Sequence, residues 1–262
     1  MKNILLILIG TITLTSSCRK IIDIELDEAN KRTTIDSKIE LGINNVSARV
    51  TKSGNFFGSS SNPSLTDATV VLNDGTSDFT LINIGNGNYE LSGFNAVGGQ
   101  SYSMKVTQGG VTYDANTSIP NLVRIDTILA LFQPASTFSE EGYLLNIIFQ
   151  DPAVASNYYR VELDIAGERY GAIDELILLD DGLTNGNLIQ FPLFGADVAQ
   201  LGDVVTLYLS SIDKQAFDYF TAINAVLIGD AGSPANPKSN FNNNALGNFS
   251  GFATDTMTIV VQ

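Results

Sequence analysis

Apolar and polar residues alternate with a period of two over much of this chain, the pattern of strands with one buried face. Ile39, Leu41 and Ile43 alternate with Lys38, Glu40 and Gly42. Ala68, Val70 and Leu72 follow, and Asn73-Asp74-Gly75 ends them in a strong turn signal. Phe79 and Leu81 continue the pattern, and Gly85-Asn86-Gly87-Asn88 turns the chain into Tyr89-Glu90-Leu91. Tyr102, Met104 and Val106 stand against Ser103, Lys105 and Thr107. After Gln108-Gly109-Gly110, Tyr113, Ala115, Thr117 and Ile119 stand against Asp114, Asn116 and Ser118, and Pro120 closes the block. Short strands with turns at regular spacing predict an N-terminal β-sandwich over residues 38–122, of immunoglobulin-like or transthyretin-like type.

The pattern resumes near Val123 and predicts a second antiparallel β domain over 123–262. Its candidate strands are 125–132, 143–150, 158–166, 176–179, 188–194, 204–212 and 256–261. One segment changes period. Phe217, Phe220, Ile223, Asn224 and Leu227 form a stripe at helical spacing, with Asp213 as N-cap and Gly229 as the stop. This predicts one helix over 213–228 that packs its aromatic stripe on the sheet. Residues 229–252, rich in Gly, Pro, Asn and Phe, read as an ordered loop.

The N-terminus has a different character. Lys2 precedes an unbroken apolar run from Ile4 to Ile9, which Gly10 to Leu14 extends more weakly. About eleven residues are too few for a hydrocarbon layer that needs about 20, so residues 1–17 read as a signal peptide. Leu14-Thr15-Ser16-Ser17-Cys18 places small residues before the sole cysteine. This resembles the lipobox of a bacterial lipoprotein in its looser Bacteroidetes form, in which the cysteine receives a diacylglycerol and its amino group an acyl chain. Several acyl chains, at about 0.8 kcal/mol per buried CH₂, anchor far more firmly than one. Cys18 is therefore the expected lipid attachment site, and residues 18–37 the expected tether. Asp23, Glu25, Asp27 and Glu28 in that tether resemble a surface-export signal. Arg19 and Lys20 come first, a departure that leaves the periplasmic face and the cell surface both open, the surface slightly favoured.

Composition narrows the function. A 44% hydrophobic and 16% charged chain builds a core and is not a disordered one. The net charge is −14, and removing a leader whose one charge is Lys2 makes it one unit more acidic. Nucleic acid is not an expected partner, because the basic footprint it requires is lacking. The chain has no histidine, which excludes Ser-His-Asp and Cys-His catalysis. One cysteine forms no intrachain disulfide.

Two constellations are candidates for binding. Asp180, Asp181, Asn185 and Asn187 crowd oxygen ligands into a Gly-containing loop, a candidate Ca²⁺ site. The spacing is not that of an EF-hand, and a hairpin turn whose carboxylates cap backbone N–H groups is the other reading. No other cofactor is expected. Phe56, Phe57, Phe191, Phe194, Phe241, Phe249 and Phe252 lie in or beside Gly/Asn-rich segments. Loop aromatics on a rigid sandwich often form binding surfaces, and Phe241, Phe249 and Phe252 are the candidate ligand or partner surface. The other reading is that they fold back as plugs on the sandwich ends. Adjacent acids at Glu140-Glu141, Asp174-Glu175 and Asp180-Asp181 point to opposite faces of a strand and supply no glycosidase pair.

Four features together resemble a Bacteroidetes outer-membrane lipoprotein family, DUF4249. The first is Cys18-Arg19-Lys20-Ile21-Ile22-Asp23. The second is Asp67-Ala68-Thr69-Val70, Gly87-Asn88-Tyr89, Tyr102-Ser103-Met104-Lys105-Val106, Tyr113 and Pro120 in sequence. The third is Asp180-Asp181-Gly182 with Asn185-Gly186-Asn187. The fourth is Pro234-Ala235-Asn236-Pro237, Ser239-Asn240 and the run from Ala245 to Phe252. The resemblance covers nearly the whole mature chain. It implies an all-β lipoprotein, often associated with TonB-dependent outer-membrane receptors, and brings no catalytic residues with it. The expectation is a non-catalytic binding or accessory component held to the membrane by its anchor. A structural or adhesion protein is the alternative, and a glycan-acting enzyme a remote one.

Overall fold

The computed structural model describes residues 31–54, 62–135, 140–153, 156–172, 175–193, 199–227 and 237–262. The signal peptide, Cys18, Phe56, Phe57, Phe194 and Gly229 lie outside them. The described chain is all-β with one helix, as the alternation predicts. In chain order the elements are β1 (Thr33–Glu40), β2 (Asn45–Lys52), β3 (Thr69–Asn73), β4 (Asp78–Thr80), β5 (Ile82–Gly85), β6 (Asn88–Ser92), β7 (Ser101–Gln108) and β8 (Val111–Ser118). There follow β9 (Thr127–Gln133), β10 (Gly142–Gln150), β11 (Tyr158–Ile165), β12 (Glu168–Tyr170), β13 (Ile177–Asp180), β14 (Leu188–Pro192), β15 (Val204–Ile212), α1 (Lys214–Leu227) and β16 (Phe249–Val260).

One long sheet organises the molecule. Its order is β12-β11-β15-β16-β1-β2-β6-β5, with β13 pairing beside β11. A four-stranded sheet, β4-β3-β7-β8, and a three-stranded sheet, β14-β10-β9, complete the fold. Among the described strands all pairings are antiparallel except β1 with β16, which run parallel with Ser37 opposite Phe249 and Glu40 opposite Phe252. Two large hydrophobic cores result, with a small third cluster of Ile212, Ala216 and Phe252 under the helix. Ile35, Ile39, Val46, Val50, Leu72, Tyr89, Met104 and Ile119 belong to the first, and Val123, Ile147, Phe149, Tyr159, Leu163 and Leu207 to the second.

The two blocks of the sequence therefore have separate cores and a shared sheet. β16 spans both: Phe249 and Ala253 enter the first core, while Met257, Ile259 and Val261 pack on the second. The described chain from Lys31 onward forms one compact unit. Two expected limits move. β1 begins at Thr33, inside the segment read as tether, because Thr33, Ile35 and Ser37 are already buried in register with β2. β16 begins at Phe249 and not at 256, since Gly251 is a strand residue whose absent Cβ would lie 2.7 Å from the Ser118 carbonyl oxygen.

Asparagines close the first sandwich. The Asn242 N–H donates to the Asp114 carbonyl, and the Asp114 N–H donates to Asn242 Oδ1 at 2.8 Å. Asn243 Nδ2 donates to the Thr112 carbonyl, and Asn240 Nδ2 to those of Asn116 and Phe249. Side-chain amides thus pair with strand backbone as a neighbouring strand would. This ties 240–243 along the edge of β8 and turns Phe241 inward.

The helix matches its sequence signal. Asp213 Oδ1 accepts the Ala216 N–H at 2.8 Å, an N-cap. Its Oδ2 accepts from Thr117 Oγ1 and the Ser118 N–H, joining the helix start to the first sandwich. Asp213→Ala removes the cap and strands a partly buried N–H and hydroxyl, so we expect a loss of about 3 kcal/mol in urea denaturation. Asp213→Asn should recover part of it. The aromatic stripe is less buried than expected. Ala216 is fully buried, while Phe217 and Phe220 are half-buried against Tyr158 and Phe252.

Candidate functional site

The helix lies on the outer face of the long sheet, opposite the two cores, and leaves part of that face open as a trench. Alternation puts Arg160 and Glu162 of β11, Tyr208 and Ser210 of β15, Phe252 and Thr254 of β16, and Lys38 and Glu40 of β1 on this face. Arg169 joins them because the hairpin at Ala166-Gly167, with φ of 53° and 88°, folds β12 back beside β11. These nine residues line a hollow of about 320 Å³. A second hollow of about 290 Å³ adjoins it under the helix, where Tyr219, Phe220, Asn248 and Ser250 contribute. Lys38, Arg160 and Phe252 line both.

Charge in the trench is held in a fixed network. Arg160 Nη2 lies 2.5 Å from Glu162 Oε1, and Arg169 Nη2 lies 2.6 Å from Glu162 Oε2. The Arg160 guanidinium sits 5.1 Å from the Phe220 ring centre and 5.8 Å from that of Phe252. Arg169 lies 3.7 Å over Tyr208. Such cation–π stacking fixes the planar groups from the side the carboxylate does not reach. Burial lowers the pKa of Arg160, with the Glu162 charge opposing it. Burial also works against Arg169, but the hydrogen bond and charge of Glu162 outweigh it and raise its pKa. Tyr219 is pushed up to about 12, by burial first and then by the nearby Asp36 charge. Glu40 and Glu162 share the trench, yet both oxygens of Glu162 are engaged by guanidinium groups and Lys38 Nζ stands 4.0 Å from Glu40. The arrangement positions cations; it does not flank a scissile bond with two free acids.

A larger groove of about 550 Å³ lies where the two cores meet, lined by Ile119, Pro120, Pro152, Tyr158, Ser211 and Asp213 among others. Much of its polar lining is committed to structure. Asp213 caps the helix, and the Tyr159 hydroxyl donates to the buried Asp151, which with burial raises its pKa well above the ordinary value.

The residues singled out from sequence fall elsewhere. Phe241, Phe249 and Phe252 are 5%, 0% and 7% exposed. The first two are core residues, a correction to the expected ligand surface, because the asparagine ladder turns this segment inward. Phe252 belongs to the trench only as its floor. Phe191 is half-buried against the second core. In the Asp180–Asn187 loop, Asp180 Oδ1 accepts the Gly182 N–H and Asp181 Oδ2 accepts the Asn157 N–H, both at 2.9 Å. The Asp181 carbonyl takes the Thr184 N–H, and Asp151 Oδ2 takes that of Gly186. The geometry is that of a capped turn. Among the described residues no group of three or more Cys, Asp or Glu side chains is gathered to hold a metal.

The trench itself escaped sequence reading. Its local signal is Arg160-Val161-Glu162 returning through a hairpin to Arg169, two charges on one strand face with a third brought alongside. The remaining members come from β1, β15 and β16, which only the closed sheet brings together.

Fold and site define an all-β, sandwich-type protein with a charged trench on its sheet. The chain belongs to DUF4249, a domain family of unknown function, which it matches over residues 19–258. No match was found among curated proteins. A solved structure from Bacteroides uniformis ATCC 8492, described as a candidate carbohydrate-binding protein, is similar over 75% of this chain and 89% of its own. Its identity is 9% and its TM-score 0.24, too slight a likeness to carry an argument.

Proposed function

We propose that this chain is a lipid-anchored protein of the outer membrane that binds a ligand without chemistry of its own, beside a TonB-dependent receptor. The binding half rests on the trench, whose charged side chains are locked against each other and against aromatic rings before any ligand arrives. Such preorganisation is what recognition requires. The anchoring half rests on Cys18, sole cysteine and first residue after the apolar leader. Among the described residues no helix is long and apolar enough to cross a membrane.

Two measurements test this. Cys18→Ala should lower the membrane-bound fraction by about tenfold, the loss expected when acyl chains are removed. A photoreactive residue at exposed Lys38 should crosslink in cells to a β-barrel receptor. A natural protein whose Cys18 carries a free thiol overturns the anchor, and crosslinking that recovers no receptor overturns the partner. The second reading, a structural or adhesion role, draws on Leu129, Leu131 and Leu188, all exposed on the three-stranded sheet. Crosslinks from these leucines, with none from Lys38, would favour it.

A further inference from the structure

We infer that the trench is a site for an acidic saccharide, a polyhydroxylated ligand carrying a carboxylate. This rests on the reading of the trench as the binding site and names the chemistry it takes. The first observation is charge. A chain of net −14 sets three cations, Lys38, Arg160 and Arg169, against two carboxylates in one hollow. The global charge repels anions at a distance, so an anion that stays must be held by local contacts. Lys38 is loosely paired, 4.0 Å from Glu40 with its side chain 61% exposed. Arg160 spends Nη2 on Glu162, yet its buried Nε has no hydrogen-bond partner in the protein.

The second observation is the unpaired acceptors next door. Asn248 and Ser37 line the adjoining hollow, and both are more than nine-tenths buried. Asn248 Nδ2 donates to Ser250 Oγ at 2.7 Å, while Asn248 Oδ1 and Ser37 Oγ have no partner in the protein. A buried unpaired polar atom costs about 1–3 kcal/mol, so a ligand that satisfies it gains affinity. Lys38 and Arg160 thus present donors and positive charge to both hollows, Arg169 adds to the first, and the second adds the unpaired acceptors and the Asp36 carboxylate. Hydroxyl groups of Ser47, Ser210, Ser250 and Thr254 line the two. A carboxylate fits the first and suits a guanidinium N–H. Sugar hydroxyls, which donate as well as accept, fit the second. An acidic peptide supplies the carboxylate but lacks the row of hydroxyls.

The test uses the full-length lipoprotein in mild detergent, titrated calorimetrically with tetragalacturonate, neutral galactotetraose and tetraglutamate. Tetragalacturonate should bind, and the other two should bind at least about tenfold more weakly, each lacking one half of the complementarity. Lys38→Glu should weaken tetragalacturonate about tenfold or more, while Lys105→Glu, the same charge change on β7, should not. Both positions are exposed, and a thermal melt confirms that each variant is folded. Absent binding of tetragalacturonate, equal affinity for galactotetraose or tetraglutamate, or equal effects of the two variants overturns the inference. None of these outcomes touches Cys18 acylation or the receptor crosslink, so the ligand class and the anchored binding role fail separately.

Discussion

Gly247→Ala is expected to unfold the protein under conditions that the wild type survives. Gly247 has φ of 92°, which a Cβ makes costly by about 1–3 kcal/mol. That Cβ would also stand 2.1 Å from the Ile35 carbonyl oxygen and 2.6 Å from its carbon. Neither atom can yield alone, because the Ile35 N–H donates to the Leu246 carbonyl and the Leu246 N–H to that of Thr33. Relief must pull the loop off β1 and lose those bonds, at about 1 kcal/mol each. We expect a total loss of about 3–5 kcal/mol in chemical denaturation. Gly42→Ala is the control. Its φ is 78° and nothing lies within 4 Å of its added Cβ, so it pays the backbone cost alone. Equal losses for the two variants would show that the close approach to β1 carries no weight.

Phe249→Ala should cost about 3–5 kcal/mol, the range for truncating a buried phenylalanine. Its side chain is fully buried in the first core. Its backbone is fixed as well: the N–H donates to Asn240 Oδ1 at 2.9 Å, and the carbonyl accepts from Asn240 Nδ2 at 2.8 Å. A core role and a ligand-surface role predict opposite outcomes. A surface phenylalanine would lose binding and leave the urea midpoint in place. A urea midpoint lowered by the equivalent of about 3–5 kcal/mol, with binding per folded molecule unchanged, is the result expected here.

The fold was legible where local chemistry decides it. Strand β15 occupies 204–212 as the alternation of Val205, Leu207 and Leu209 requires, and Asp213 caps the helix in the place its side chain implies. The segment from Ser239 to Phe252 misleads for a physical reason. Its Gly and Asn content signals a loop, yet its asparagines pair with strand backbone and its glycines allow close passes of Ile35 and Ser118. β2 has a signal of the ordinary kind, Val46, Ala48 and Val50 against Ser47 and Arg49. The trench was not legible because no stretch of sequence contains it. Its parallel pairing joins residues near positions 38 and 250, and period-two patterns report which face a side chain takes but not which strands become neighbours.

The parallel seam between β1 and β16 has a consequence for how the molecule comes into being. In the described chain β1 pairs with β16, more than 200 residues further on, so its second edge stays open until the last strand is in place. A contact so distant along the chain is slow to form. Both cores draw residues from β16, so neither is complete until that C-terminal strand has docked.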